Sequence, residues 1–278
     1  MIKLALLGTL STHTEKLCKC VSNREDIQIV GIFGEDTART DYLCRTYCLE
    51  QKPVEELVEQ CNVAAILFRD GGKHLKYAEP FVKKGIPLFV DKPFTVTVED
   101  AQALIDLCKT YDCPFIGGSC VKLSEELLEL KEQVSREPAI LSGYCSFMIN
   151  LDSPYGGMHF YSHHLIEAML QLFGTGVRSV TAKRTGKTLT AIAAYDLFPV
   201  FMNYSIRHDQ LYAGYYGANG NALVPFSWSK AGDVQFEELV QFAKTKEMKY
   251  RPEYFLEVVK ISCALEQSMK EERTVYLF

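Results

Sequence analysis

The sequence lacks the features of a membrane or nucleic-acid-binding protein. Its apolar runs are short, such as the six residues of Val63 to Phe68, whereas a membrane-spanning helix needs about 20 apolar residues. Lys and Arg together number 30 against 35 Asp and Glu, and no basic tract stands out. We therefore expect neither a membrane partner nor a nucleic-acid partner.

The ten cysteines lack the C-x₂-C spacing of common zinc sites. Cys18 and Cys20 are separated by one residue, and Cys44 and Cys48 by three. The first residues, MIKLALLGTL, predict a buried strand and not a signal peptide. Reduced thiols and a cytoplasmic location are therefore expected.

The 278 residues, 47% of them hydrophobic and 23% charged, are typical of a globular protein of about two domains. Strands alternate with helices over residues 1–121, which predicts a Rossmann-type doubly wound parallel sheet. Residues 122–278 contain runs of strands without intervening helices, which predicts an α+β domain with a largely antiparallel open sheet. The fold class is thus α/β, with a helix predicted over His159 to Phe173 and later strands over Val200 to Arg207, Gln210 to Tyr216 and Val275 to Phe278.

Ligands of doubly wound sheets bind beyond the carboxyl ends of the strands, and the first such end carries Gly8 to Thr12. Gly8 fits the first position of the dinucleotide fingerprint G-x-G-x-x-G, but Leu10 and His13 occupy the other two glycine positions. The backbone here and the hydroxyl of Thr9 could hold a phosphate. An ordinary capped turn explains the segment equally well.

The second strand ends in Gly34, Glu35 and Asp36. A carboxylate at this place accepts hydrogen bonds from an adenosine ribose, and two carboxylates repel a 2′-phosphate. Glu35 or Asp36 would therefore favour NAD over NADP, whereas the alternative is a solvated loop.

Lys92 lies directly at the end of the fourth strand and before Pro93. Proline excludes the α region at the preceding residue, so the direction of Lys92 is restricted. A lysine in a partly desolvated cleft can accept or donate a proton, because burial lowers the pKa of an amine. A surface lysine before proline is the alternative interpretation.

Two segments together resemble a known family. They are HLKYAEPFVKKGIPLFVDKPFTVTVEDAQALIDLCKTYDCPFIGGSCVK at residues 74–122, with its D-K-P motif, and the ending ALEQSMKEERTVYLF. Both are similar to the glucose-fructose oxidoreductase / inositol dehydrogenase / rhizopine catabolism (Gfo/Idh/MocA) family of NAD(P)-dependent oxidoreductases. The resemblance implies hydride transfer between nicotinamide and a hydroxyl-bearing carbon of a sugar, cyclitol or related polyol.

The resemblance also implies roles for individual residues. Lys92, preceded by Asp91 in the motif, matches the lysine that contacts nicotinamide and polarises the reacting hydroxyl, and His74 matches a histidine near the cofactor. Lys122 falls where the family lines its substrate cleft with Arg or Lys. His164 matches the catalytic histidine that takes the hydroxyl proton, with His159 and His163 beside it in the substrate cleft.

The chain departs from the family pattern at several places. Phe160 stands where the family has an aspartate four residues before its catalytic histidine. At the end of the third strand, where the family usually has small-Thr-Pro, the chain reads Phe68-Arg69-Asp70. Arg69 could bind a phosphate or an acidic substrate, or could obstruct the nicotinamide position. These departures leave open a family member that has lost redox turnover and acts as a ligand-binding or regulatory protein.

A third hypothesis is a metal-dependent enzyme. His159, His163 and Glu167 follow one another at one-turn spacing and could lie on one helix face. Finally, the open face of the family's second sheet typically forms a subunit interface, which implies a homodimer or homotetramer.

Overall fold

The computed structural model describes residues 1–206 and 211–277, which form two compact units. The first unit comprises Met1–Gly118 and Asp233–Phe255, and the second comprises Ser119–Gly232 and Leu256–Phe278. The predicted boundary between residues 121 and 122 lies close to the first crossing of the chain. The return of residues 233–255 to the first unit was not predicted.

The first unit alternates strands and helices along the chain. Its elements are β1 (Ile2–Leu7), α1 (Thr12–Val21), β2 (Ile27–Phe33), α2 (Thr37–Tyr47), α3 (Val54–Gln60), β3 (Val63–Ile66), α4 (His74–Lys83), β4 (Leu88–Asp91), α5 (Val98–Thr110) and β5 (Phe115–Gly118). The strands are parallel and ordered β2-β1-β3-β4-β5. The predicted doubly wound parallel sheet is confirmed.

The central strands of this sheet are buried on both faces. In β1 only Lys3 is exposed, and every residue of β3 and β4 is buried, as expected where helices cover both faces of a parallel sheet. Helix α8 (Ala231–Thr245) completes the core, because Phe236, Leu239 and Phe242 pack into the same apolar cluster as β1.

The second unit carries a seven-stranded sheet and the helix that was predicted over residues 159–173. Its elements are α6 (Glu125–Arg136), β6 (Ile140–Met148), α7 (His159–Phe173), β7 (Ser179–Thr185), β8 (Thr188–Ala194), β9 (Pro199–Ser205), β10 (Tyr212–Gly217), β11 (Asn221–Pro225), the greater part of α9 (Pro252–Glu271) and β12 (Val275–Tyr276). The order is β11-β10-β6-β9-β8-β7-β12, and β6 and β9 are parallel while the other neighbours are antiparallel. The prediction of a largely antiparallel second sheet is confirmed.

Strand β11 was not predicted. Its five residues include Asn221 and Pro225 and alternate between exposed and half-buried, a pattern of an edge strand that reads as a loop in the sequence. Of the predicted strand ends, Arg207, Gln210 and Phe278 lie outside the described residues.

No helix within residues 1–206 and 211–277 is long and apolar enough to cross a membrane. One face of the second sheet carries several exposed large side chains, namely Ile192, Phe201, Tyr212, Tyr216 and Leu223.

Candidate active site

The loop after β1 is a tight turn that only glycine can begin. Gly8 has a φ of +103°, and a Cβ at this position would lie 2.6 Å from the backbone nitrogen of Phe68. The Thr14 hydroxyl donates to the Gly8 carbonyl at 2.5 Å, and Ser11 caps α1 by accepting from the His13 backbone N–H at 3.2 Å. The loop therefore delivers the chain directly into the N-terminus of α1.

The other two glycine positions of the fingerprint carry side chains in different environments. Leu10 is 41% exposed, whereas the His13 ring turns to the end of β4. His13 Nδ1 lies 2.9 Å from Oδ2 and 3.0 Å from Oδ1 of Asp91. Sequence reasoning missed this contact, because the two residues lie 78 positions apart.

Asp91 is buried, with 1% of its surface exposed, and belongs to the D-K-P motif. Burial by itself raises the pKa of this carboxyl, but the charge and hydrogen bond of His13, together with Lys92, hold the pKa below its ordinary value. Lys92 follows it at 6% exposure, and the Lys92–Pro93 peptide bond is cis. Lys92 is therefore buried and next to a buried carboxylate, and its predicted functional role stays a prediction.

Replacing His13 with Ala is expected to lower the free energy of unfolding at pH 7 by about 1–3 kcal/mol, because buried Asp91 loses a hydrogen-bond donor. The folded-state pKa of Asp91 is depressed, so its contribution to stability is present above the unfolded pKa of about 3.9 and is lost as pH falls through the folded pKa. The difference between wild type and His13→Ala should therefore shrink below about pH 4.

Urea unfolding at several pH values measures this difference. His13→Gln, which keeps a side-chain donor, is the matched control and should lose less stability than His13→Ala. An equal loss in the two variants at every pH would contradict the pairing.

The carboxylates at the end of β2 already have protein partners. Glu35 accepts from Lys73 and, at 2.7 Å, from the Tyr77 hydroxyl. The hydrogen bond from Lys73 holds the pKa of Glu35 below its ordinary value, against the opposing effect of burial. Asp36 caps α2 by accepting from the Arg39 backbone N–H at 2.7 Å.

Gly34 leaves no room for a carboxylate at the usual ribose-binding position. A Cβ there would lie 2.1 Å from Thr9 Oγ1, which in turn is 3.0 Å from Thr40 Oγ1. A ribose contact at this strand end would therefore fall to Glu35, which must exchange Lys73 or Tyr77 for the sugar.

His74, at the start of α4, is fully buried and contacts backbone carbonyls. Its Nε2 lies 2.8 Å from the Phe68 oxygen and its Nδ1 lies 3.1 Å from the Phe94 oxygen. Burial lowers the pKa of His74, and the two carbonyls oppose this effect. His74 thus ties the end of β3 to the segment after Lys92, while Arg69, in the loop after β3, is half-buried. Their predicted cofactor contacts stay predictions.

In the second unit, Lys122 and His164 are joined through two other residues. Lys122 Nζ donates to Glu167 Oε2 at 2.7 Å, and both side chains are 1% exposed. Glu167 Oε1 accepts from the Ser119 backbone N–H at 2.7 Å, and Ser119 Oγ lies 2.6 Å from His164 Nδ1. Sequence reasoning missed Ser119. The substrate-binding role predicted for Lys122 stays a prediction, although its ammonium is held by an internal carboxylate.

The metal hypothesis is wrong for these residues. His159 Nδ1 bonds Ser262 Oγ at 2.8 Å, while the Glu167 carboxylate holds Lys122 and the Ser119 N–H. Burial lowers the pKa of His159, and the nearby carboxylate of Glu266 opposes this effect. No group of three His, Cys, Asp or Glu residues that could hold a metal occurs among the described residues. Helical spacing placed the three side chains near one another without making them converge.

A dinucleotide cofactor needs a helix N-terminus for its phosphates and a polar group at the reacting end. The tight turn at Gly8 and the N-terminus of α1 meet the first requirement, and buried Lys92 meets the second. The loop side chains Thr9 and Ser11 are buried, and Ser11 caps the first turn of α1, while Leu10 is exposed. The residues present therefore fit the phosphate and nicotinamide portions of the group.

Residues 2–118 match the sequence model of an oxidoreductase family with an NAD-binding Rossmann fold, GFO_IDH_MocA. This match confirms the predicted resemblance for residues 2–118, to a family of oxidoreductases with an NAD-binding Rossmann fold. It does not distinguish NAD from NADP. A search of curated protein sequences finds no match to the chain.

Solved structures share the fold across both units. The scyllo-inositol dehydrogenase of Lactobacillus casei with bound NAD(H) and scyllo-inositol is 13% identical, with a TM-score of 0.86 over 99% of each chain. The myo-inositol 2-dehydrogenase of Lactobacillus plantarum is 12% identical, with a TM-score of 0.86 over 100% of this chain and 99% of its own. At these identities the likeness establishes the fold alone.

Proposed function

Because residues 2–118 match the sequence model of the Gfo/Idh/MocA oxidoreductase family, we propose that the protein transfers a hydride between a nicotinamide cofactor and a hydroxyl-bearing carbon of a sugar, cyclitol or related polyol. The observation that carries the proposal is Lys92, a buried lysine at the end of β4 in the D-K-P motif. The substrate class is supported by the fold shared with two inositol dehydrogenases.

The chain's own residues take three roles in this proposal. Lys92 gives a proton to the oxygen as its ammonium when a carbonyl is reduced, and takes that proton as its neutral amine when the hydroxyl is oxidised. The substrate contact that the family resemblance implies for His164 stays a prediction. Gly8, Thr9 and Leu10 form the phosphate-binding turn before α1, and the bound nicotinamide supplies the site that accepts or gives the hydride.

NAD is the cofactor we favour over NADP. Glu35 and Asp36 stand at the end of β2, where their negative charges repel a 2′-phosphate. Glu35 would accept from the ribose in place of Tyr77, with Lys73 still beside it.

Calorimetric titration of the purified protein with NADH and NADPH tests the cofactor site. We expect micromolar affinity for NADH and weaker affinity for NADPH. Replacing Leu10 with Gly is expected to tighten NADH binding several-fold, because the second glycine of the fingerprint lets the backbone approach the pyrophosphate. Leu197→Gly, at a position 90% exposed in the second unit, is the control and should leave the affinity unchanged.

A specific observation favours a second candidate, a ligand-binding or regulatory protein without redox turnover. The His13 ring occupies the third glycine position and is held by Asp91, the residue beside the proposed catalytic lysine. Absence of NADH and NADPH binding at millimolar concentration, in both wild type and Leu10→Gly, would support this candidate and contradict the oxidoreductase.

We also propose that the exposed face of the second sheet, which carries Phe201, Tyr216 and Leu223, is the contact between copies of this chain. Large apolar side chains that share a sheet face are typical of such contacts. Analytical ultracentrifugation tests it: wild type should sediment as a dimer or tetramer and Tyr216→Glu as a smaller species.

A further inference from the structure

Ser119 lies between the proposed substrate-contacting histidine and a buried ion pair. Its backbone N–H donates to Glu167 Oε1 at 2.7 Å, and Glu167 Oε2 accepts from Lys122. Its hydroxyl oxygen lies 2.6 Å from His164 Nδ1. Ser119, Lys122, His164 and Glu167 are all buried within the second unit, so these contacts are shielded from competing water.

The family resemblance implies an aspartate four residues before the catalytic histidine, but this chain has Phe160 at that position. Phe160 has no carboxylate with which to orient an imidazole. The His164 ring packs against Phe147 and Trp228, with ring centroids 5.2 and 5.8 Å away, and these contacts restrict its plane.

Two observations favour Ser119 as the donor in its hydrogen bond with His164. The Ser119 hydroxyl oxygen accepts from the Val121 backbone N–H at 3.1 Å, which occupies one of its two lone pairs. The 2.6 Å separation from Nδ1 is shorter than the usual N–H···O distance of about 2.9 Å and closer to that of a hydroxyl donor. A hydroxyl that donates to Nδ1 leaves the proton of the neutral ring on Nε2.

We propose that Ser119 is the positioning residue that holds neutral His164 in the Nε2–H tautomer. In the proposed function, His164 then donates a hydrogen bond to a substrate oxygen from Nε2 and does not take the hydroxyl proton. This inference rests on the proposed function for the identity of the substrate oxygen. The tautomer itself is independent of that function.

Nitrogen NMR of the ¹⁵N-labelled full chain without cofactor tests the tautomer. The His164 signals are assigned by their loss in His164→Gln. In wild type we expect a protonated Nε2 and an unprotonated Nδ1, and in Ser119→Ala a mixture of both tautomers. A wild-type ring protonated at Nδ1, or a Ser119→Ala spectrum identical to that of wild type, would overturn the proposal.

Ser124→Ala is the matched control. Ser124 is also a buried serine that caps a helix, by accepting from the Leu127 backbone N–H, but Ser119 and not Ser124 contacts His164. The His164 signals of Ser124→Ala should equal those of wild type, although its thermal stability should be similar to that of Ser119→Ala. Ser119→Thr, which keeps the hydroxyl, should restore the single tautomer.

Turnover provides the second readout. Ser119→Ala should lower kcat about five- to tenfold, the effect of about one hydrogen bond, while Ser124→Ala should not. An Nε2–H ring in a protein that binds no nicotinamide cofactor would contradict the proposed function and leave the role of Ser119 in place. An Nδ1–H ring in an active dehydrogenase would contradict the role of Ser119 and leave the proposed function in place.

Discussion

Replacing Glu167 with Gln is expected to lower the free energy of unfolding by about 3–5 kcal/mol, because it leaves the ammonium of Lys122 buried without its carboxylate. Gln keeps the size of the side chain and an oxygen that can accept from the Ser119 N–H. The loss therefore reports the charge and not a cavity. Urea unfolding followed by circular dichroism measures it.

Two further variants show that the missing countercharge is the cause. Adding Lys122→Met to Glu167→Gln should recover most of the lost stability, because an apolar side chain of similar length needs no anion. Glu132→Gln removes an exposed partner of Arg136 and should change the stability by at most about 1 kcal/mol. A Glu167→Gln protein as stable as wild type would mean that Lys122 is neutral or has another anionic partner.

Replacing Lys92 with Ala is expected to lower kcat by about 10²- to 10⁴-fold, the usual contribution of a group that exchanges a proton with the substrate. Lys92 is almost fully buried at the end of β4, so water replaces its ammonium poorly. Steady-state kinetics with a panel of polyols and NAD measures the effect, and the affinity for NADH is measured on the same protein.

Lys83→Ala removes an exposed lysine of α4 and should leave kcat unchanged. Lys92→Arg keeps the charge but not the exchangeable amine, and should remain at least tenfold slower than wild type. Full turnover by Lys92→Ala would exclude the proposed mechanism. If Lys92→Ala lost both NADH binding and turnover, the role of Lys92 would be in cofactor binding alone.

The parts of the fold that could be predicted are those with a strong local signal. Helix α7 was predicted with its observed bounds, because its apolar periodicity runs unbroken to Gly174, whose φ is +77°. Strands β1 and β3 were predicted because parallel strands that are covered on both faces are nearly continuous apolar runs, interrupted here only by exposed Lys3. β11 could not be predicted, because its pairing with β10 and not its composition makes it a strand.

The candidate site was predictable in one respect and not in another. Lys92 could be singled out as a candidate because its position at a strand end and before Pro93 is visible in the sequence. The pairing of Asp91 with His13 could not be predicted, because the two residues lie 78 positions apart and only the folded sheet brings α1 next to the end of β4. Ser119 and Glu167 likewise acquire their roles only through contacts 45 and 48 residues away along the chain.

The interruption of the first unit affects how the protein is made. Phe236 and Leu239 of α8 pack into the apolar cluster of β1, yet they follow β1 by more than two hundred residues in the order of synthesis. A ribosome must therefore deliver residues 119–232 before the first unit can close, and until then the cluster lacks one of its walls. A fragment that stops at Gly118 would keep every strand of the parallel sheet and still expose this surface, which makes it prone to aggregation.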